Sequence, residues 1–396
     1  MSQTLRAPVA IVGAGPVGLC AALKLDALGI RCALLERSEQ APDDLRASTF
    51  HPPTLDMLDT LSLAPAMVAD GLEVPHWQVR MHATDECARF DLSVLRDDTA
   101  HPFRLQFEQA AFVRLAVDKV GHAPGIDFRR GIAVDDIDEQ KDGVRLRWPG
   151  GELLADYVVA ADGASSRLRQ LLELPFEGLT YPETTILTTT RFPFEEHLTG
   201  LSWVNYCWSD SGTFSLLRVP DRWRVSLYPE DGESVEEALR PERVQARLTE
   251  IVPAAGEEPV LEIRPYRIHQ RILDNYRVGR VLFAGDAAHL NSPSGGMGMN
   301  CGIHDAFNLA DKLARVLNGE TTELLDLYDR QRRPIARDEI LKRADGNRKR
   351  MRQRDPEWRR AELDRLQSIA ADPHKSHEFL LGSSMIAGLR QAASVT

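Results

Sequence analysis

Three short stretches of this 396-residue chain pair glycine with a carboxylate. Their spacing suits the holding of a long ligand that carries phosphate and sugar. The first is GAGPVG, Gly13 to Gly18, with Glu36 eighteen residues beyond its last glycine. Gly13 permits a tight turn, Gly15 lets backbone approach a pyrophosphate, and Gly18 lets a helix pack closely on a strand. A helix N-terminus then faces the phosphates, and Glu36 can accept hydrogen bonds from a ribose. The second stretch is Asp162-Gly163, and the third is Gly285-Asp286, followed by glycines at 295, 296 and 298. A carboxylate at such a position accepts short bonds from sugar hydroxyls and discriminates against analogues that lack them.

Each motif needs a strand to deliver it. PVAIV, residues 8–12, has the look of a buried strand; LCAALKLDALG is apolar-periodic and stops at Gly29; RCALLER is a second strand that ends in Glu36. YVVAAD and VLFAGD are likewise buried runs ending in an acid. In an open α/β sheet, ligands sit outside the carboxyl ends of the strands. The ends at Gly13, Asp162 and Asp286 are therefore expected to converge on one ligand. Residues 73–106 and roughly 184–270 alternate polar and apolar and read as strands, with a hairpin turn at Pro220-Asp221. The segment before YVVAAD reads as a separate three-stranded meander. After VLFAGD the chain turns helical, with Ile303, Phe307, Ala310, Leu313 and Leu317 on one face. The basic stretch 342–365 reads as a solvated helix laced by intrahelical ion pairs. The predicted class is α/β with an α+β insert. A Rossmann-like domain takes 1–72, 107–182 and 272–396 and ends in helices; a β-rich substrate domain takes 73–106 and 183–271.

The composition, 43% hydrophobic and 27% charged, is that of a globular protein, and the net charge of −11 disfavours nucleic acid and acidic membranes. No apolar run approaches membrane-spanning length and no signal-peptide pattern opens the chain, so a cytoplasmic location is expected. The five cysteines form no C-x-x-C pair and the histidines no H-E-x-x-H pair, so no metal site is expected. No G-x-S-x-G motif announces a protein nucleophile.

With its three motifs in this order, the chain resembles the class A, single-component FAD-dependent aromatic hydroxylases, the group containing 4-hydroxybenzoate 3-hydroxylase and 3-(3-hydroxyphenyl)propionate hydroxylase. The resemblance covers nearly the whole chain. It implies FAD held along the GAGPVG turn by Gly13, Gly15, Pro16, Val17 and Gly18, with Glu36 on the adenosine ribose and Arg37 and Arg46 near the adenosine and diphosphate. It implies further that Gln109 opens a helix beside the flavin, that Val134 touches adenine through its backbone, and that Asp162 supports FAD and pyridine-nucleotide binding. Gly285-Asp286 would hold a ribityl hydroxyl. Gly296 and Gly298 would let backbone run against the isoalloxazine ring, the N–H groups near Met299 and Asn300 would face the flavin N1–O2 edge, and Pro293 would line the junction with substrate. His289 is expected to be structural. The larger members carry a thioredoxin-like C-terminal domain, which is expected to be absent here. The W-x-W-x-I-P motif of flavin-dependent halogenases is not present.

The activity implied is hydroxylation of a small phenolic or hydroxypyridine-type ring with NADH or NADPH and O2, through a flavin C4a-hydroperoxide, with a homodimer as the oligomer to look for. The inserted strands should supply the substrate residues. Tyr206 and Tyr228 are candidates to stack a ring or relay a phenolic proton, Trp208 to stack, and Arg218 to hold a carboxylate. Two other classes stay open: an FAD-dependent reductase or dehydrogenase that inserts no oxygen, and a flavin-binding protein that turns nothing over.

Overall fold

The computed structural model describes residues 5–40, 47–230, 232–293 and 295–396. Two sheets organise it. The first runs in the order Arg277–Val278, Val281–Phe283, Gly151–Ala160, Leu5–Val12, Cys32–Glu36, Ile126–Arg130; Gly143–Trp148 and Asp136–Gln140 extend it from Gly151–Ala160. Its central strands are parallel and almost wholly apolar, as a sheet covered on both faces requires. The helices Pro16–Ala27, Gln109–Gly121 and Met297–Leu317 contribute to the same core.

The register decides what this sheet can do. Val12 lies beside Ala160 and Leu35, and Ala160 beside Phe283. Backbone bonds stitch the residues that follow: Gly13 N–H to Leu35 O at 2.8 Å, Ala161 N–H to Val12 O at 2.9 Å, Ala284 N–H to Ala160 O at 3.0 Å. Three strands therefore end level, and their glycine and acid residues leave the sheet side by side. Gly13 turns there with φ +102°, and a Cβ on it would lie 2.4 Å from the Ala161 carbonyl oxygen.

The expected separation of a meander from YVVAAD is corrected: Gly151–Ala160 is one ten-residue strand. It pairs antiparallel with Gly143–Trp148 on one edge and parallel with Leu5–Val12 on the other. Its polar first half read as a meander because one face there is covered and the other is not.

The second sheet is mostly antiparallel, in the order His289–Leu290, Val260–Ile272, Glu177–Thr190, Arg222–Leu227, Gly212–Val219, Val204–Ser209, His76–Met81, Cys87–Asp91. Pro220 and Asp221 make its central hairpin, across which Val219 pairs with Arg222. Trp223, Val225, Leu227, Phe214 and Leu216 pack one face against helix Pro241–Ile251.

The C-terminal quarter is helical: Met297–Leu317, Glu323–Pro334, a π-helical stretch Ile335–Leu341, then Lys342–Arg352, Pro356–Ala371, Pro373–Ser383 and Ile386–Ser394. The basic stretch 342–365 is two helices, not one. It carries the expected local pairs, such as Arg348–Asp345 and Arg365–Glu362. It is also docked: Arg348 and Arg352 both meet Glu183 of the second sheet. Sequence cannot show a partner that lies more than 160 residues away. Among the described residues, no helix is long and apolar enough to cross a membrane.

Candidate functional site

A cavity of about 1230 Å³ runs from the carboxyl edge of the first sheet to the free face of the second. That exceeds the usual span of small-ligand sites, roughly 300–1000 Å³, and leaves room for a large ligand and a smaller one together. Gly13, Gly15, Pro16, Val17, Glu36, Arg37, Gln109, Val134, Asp162, Asp286, Pro293, Gly296, Gly298 and Met299 all line it, as do Tyr206 and Tyr228.

Two helices point their N-termini into this space. Pro16–Ala27 starts behind Gly15, and Met297–Leu317 behind Gly296; neither first turn carries a side-chain cap. Uncapped N–H groups with a helix dipole behind them favour negative charge. A side chain at Gly15 would meet nothing within 4 Å, so the space in front of it belongs to the cavity. Glu36 closes the glycine turn by accepting from Ala14 N at 2.7 Å and Ser38 N at 2.9 Å. Two lone-pair sites remain for a ligand hydroxyl. Asp162 accepts from Leu168 N at 3.0 Å through one oxygen, while its other, buried Oδ1 has no protein partner. A buried carboxylate oxygen of this kind calls for a donor from outside the chain. These residues fit the diphosphate and sugar hydroxyls of a flavin dinucleotide.

Three of the expected cofactor residues do not line the cavity; they build its wall. Gly18 packs under the turn, where a Cβ would sit 1.9 Å from Gly13 O. Gly285, at φ +61°, lies against Val17 and Gly302, which lets the two helices close on each other. Asn300 is buried, donating to Thr49 O at 2.8 Å and Gly296 O at 2.7 Å and accepting from His51 N at 2.9 Å. It brackets the glycine loop to the strand Thr49–Phe50. Arg46 lies outside the described residues.

Behind the Gly285-Asp286 turn sits a fully buried ion cluster that the sequence did not disclose. Asp305 accepts from Arg332 Nε at 2.7 Å, His289 Nε2 at 2.8 Å and the Gly285 backbone N–H at 3.1 Å. Burial opposes its charge, but Arg332 and His289 overcome this and hold its pKa at about 2. Burial opposes the charge of His289 as well, but Cys301 and Asp305 beside it hold its pKa well above the usual histidine range. Cys301 completes a possible ligand triad with His289 and Asp305, but the Arg332 guanidinium already occupies the carboxylate.

At the second sheet, strand parity sorts the substrate candidates. Ser215 and Leu217 face the cavity, so Arg218 faces away, 3.8 Å from Glu195 and over the Trp223 ring. Trp208 is buried among the C-terminal helices, donating from Nε1 to Arg350 O at 3.1 Å. Neither Arg218 nor Trp208 reaches the cavity. Arg224 does, sharing parity with Ser226 and Tyr228, while Arg264 and Arg267 line the same cavity from the strand Val260–Ile272. Reading WRVSLY as an alternation would have found Arg224, because Trp223, Val225 and Leu227 form the opposite face. Burial pulls the Arg224 pKa down to about 10, with Glu108 acting against that fall. Tyr228 is pushed up to about 12 by burial, against a hydrogen bond with Thr185. Tyr206 is hydrogen-bonded with the buried Arg104 guanidinium, which stacks over Trp77 at 4.9 Å.

Comparison with known proteins agrees with this construction. The FAD binding domain family matches residues 6–342. The chain is 31% identical over 385 residues to 6-hydroxy-3-succinoylpyridine 3-monooxygenase of Pseudomonas putida, covering 96% of this chain and 98% of that one. It is 32% identical over 393 residues to para-nitrophenol 4-monooxygenase of a Pseudomonas species, covering 96% of each. The crystal structure of p-nitrophenol 4-monooxygenase from Pseudomonas putida superposes with a TM-score of 0.89 at 31% identity over 98% of both chains. The glycine turn, the two strand-end aspartates and these full-length likenesses together make the chain a member of the FAD binding domain family of flavoprotein aromatic monooxygenases.

Proposed function

We propose that this protein hydroxylates a small, anionic aromatic ring, a phenol or hydroxypyridine bearing a carboxylate or another acidic group, with NADH or NADPH as reductant and O2 as oxygen source. The observation that carries the reading is the single cavity that joins the Gly13–Glu36–Asp162 edge to Tyr206, Arg224 and Tyr228. Two relatives that match over their full length are named for a hydroxypyridine and a nitrophenol.

Bound FAD would supply hydride acceptance and oxygen activation. The chain's own residues do the rest. Glu36, Asp162 and Asp286 would take its hydroxyls, and the two helix N-termini its negative charge. Arg224, still charged at neutral pH, would anchor the substrate's acidic group. Tyr228, with its pKa near 12, keeps its proton and would donate a hydrogen bond to a phenolate oxygen rather than act as a base. Stabilising the phenolate in this way keeps the ring electron-rich toward oxygen transfer. The apolar walls Leu187 and Leu217 would exclude water from the reacting edge. A cytoplasmic homodimer is the setting expected with this reading, to be checked by fractionation and light scattering.

The test is a panel of hydroxylated aromatic acids, nitrophenols and hydroxypyridines incubated with each nicotinamide nucleotide under labelled O2. One labelled oxygen atom in an organic product supports the proposal. Nucleotide oxidation with no label in any organic product overturns it and points to a reductase.

A further inference from the structure

Beside the main cavity lies a second, smaller one of about 230 Å³. Its lining includes Glu183, Thr184, Arg247 and Arg352, and it shares two residues with the main cavity, Tyr228 and Met351. Those two side chains are the partition between them. Tyr228 follows the end of a strand and bonds with Thr185. Met351 is the movable member: it is unbranched, with three rotatable bonds, and stands in the last turn of helix Lys342–Arg352.

That helix is an unusual roof. It is very polar, and among its described residues Ala344 and Met351 alone are buried. Exchangeable polar contacts hold it down: Arg348 on Glu183 at 2.9 Å, Tyr181 Oη donating to Asp345 at 2.8 Å, Trp208 Nε1 donating to Arg350 O at 3.1 Å. Its Asn347 comes close over Gly295, so the roof also covers the glycine loop. It is preceded by the π-helical stretch Ile335–Leu341, a rare geometry found frequently at functional sites.

We propose that the small cavity is the vestibule through which the aromatic ring enters, and that Met351 is the gate residue that sets how fast and how large a ring passes. This rests on reading the Tyr206–Arg224–Tyr228 end as the ring site. Glu183, Glu230 and Glu233 line the vestibule with Arg247, Arg352 and Arg354, and opposite charges pair there, as Arg247 does with Glu230 and Arg352 with Glu183. The gate therefore selects by size and not by charge. The rival route is the exposed stretch Arg264–Arg267, which also lines the main cavity.

The route can be measured without a substrate. Ser215 lines the main cavity and is 7% exposed. Ser215→Cys in the FAD-loaded protein places a thiol there for N-ethylmaleimide, a small neutral ring; the parent's rate, from half-buried Cys87, is subtracted. Adding Met351→Trp is expected to slow the reaction at least about tenfold, and Met351→Ala to speed it about threefold, while Arg267→Trp leaves it within about twofold. If Met351→Trp does not fold, Met351→Phe and the alanine variant carry the test. Rates indifferent to residue 351, or slowed by Arg267→Trp alone, overturn the proposal. The labelling does not depend on turnover, so its failure is distinct from failure of the hydroxylase reading.

Discussion

Two aspartates near one turn do different work. Asp286 faces the cavity, whereas Asp305 is buried behind it with Arg332 and His289. Asp286→Ala is expected to weaken FAD binding by about 1.5–3 kcal/mol, the worth of a hydrogen bond to a charged group. Asp305→Ala should instead destabilise the fold by about 3–5 kcal/mol, because it leaves two buried cations unpaired. Titration of FAD and urea unfolding of both apoproteins separate the two; equal effects would remove the assignment. The Asp305 pKa is depressed to about 2, so its stabilisation is present above the unfolded value of about 3.9 and is lost as pH falls through the folded one. Stability of the parent should therefore drop more steeply than that of Asp305→Asn on acidification from about pH 5 to 2, as followed by denaturant midpoints. At the ring site, Arg224→Gln should weaken binding of an aromatic acid about tenfold or more without affecting FAD. Arg218→Gln, on the far face, should change neither; binding isotherms for the two variants decide whether strand parity was read correctly.

Among the elements, the parallel strands that end level at Val12, Ala160 and Phe283 are what bring the three motifs together. The contrast between two glycines tests this geometry. Gly13→Ala combines a φ of +102° with a Cβ 2.4 Å from a carbonyl oxygen. It should lower the unfolding free energy by about 1–3 kcal/mol even without FAD. Gly15→Ala meets open space, so the apoprotein should lose no more than about 1 kcal/mol, yet FAD affinity should fall because the methyl enters the ligand's volume. Thermal melts of both variants with and without FAD show whether the turn or the ligand needs each glycine. The motifs and their strands were legible because buried parallel strands are apolar runs with abrupt polar ends. The docking of 342–365 was not, because its partner Glu183 is remote in sequence and its own charges look self-sufficient.

For the whole molecule, one cavity shared by two sheets implies coupling between cofactor and ring. A true substrate is expected to accelerate reduction of bound FAD by NADH or NADPH at least about tenfold, which asks for only about 1.4 kcal/mol of differential stabilisation. Anaerobic stopped-flow absorbance follows it directly; equal rates with and without a verified substrate would discard the coupling and leave the hydroxylase reading standing. FAD at a hundredfold excess over its Kd should raise stability by about 2.7 kcal/mol, and an aromatic acid should add to this in the FAD-loaded protein more than in the apoprotein.

Local order along the chain was enough to determine the cofactor class and the α/β framework. Glycine spacing, strand composition and a carboxylate at each strand end are properties of neighbours in sequence, and the ligand's backbone contacts depend on little else. What only the tertiary structure decided is which side chains face the ring. Arg224 and Arg218 sit in similar alternating strands, and one step of parity sends one into the cavity and the other onto Trp223. Asp305 was beyond reach for a similar reason: its role depends on Arg332, His289 and Gly285 arriving from three separate elements. The face a strand presents and the partner a buried charge finds are set by packing across the chain, and sequence proximity carries no record of either.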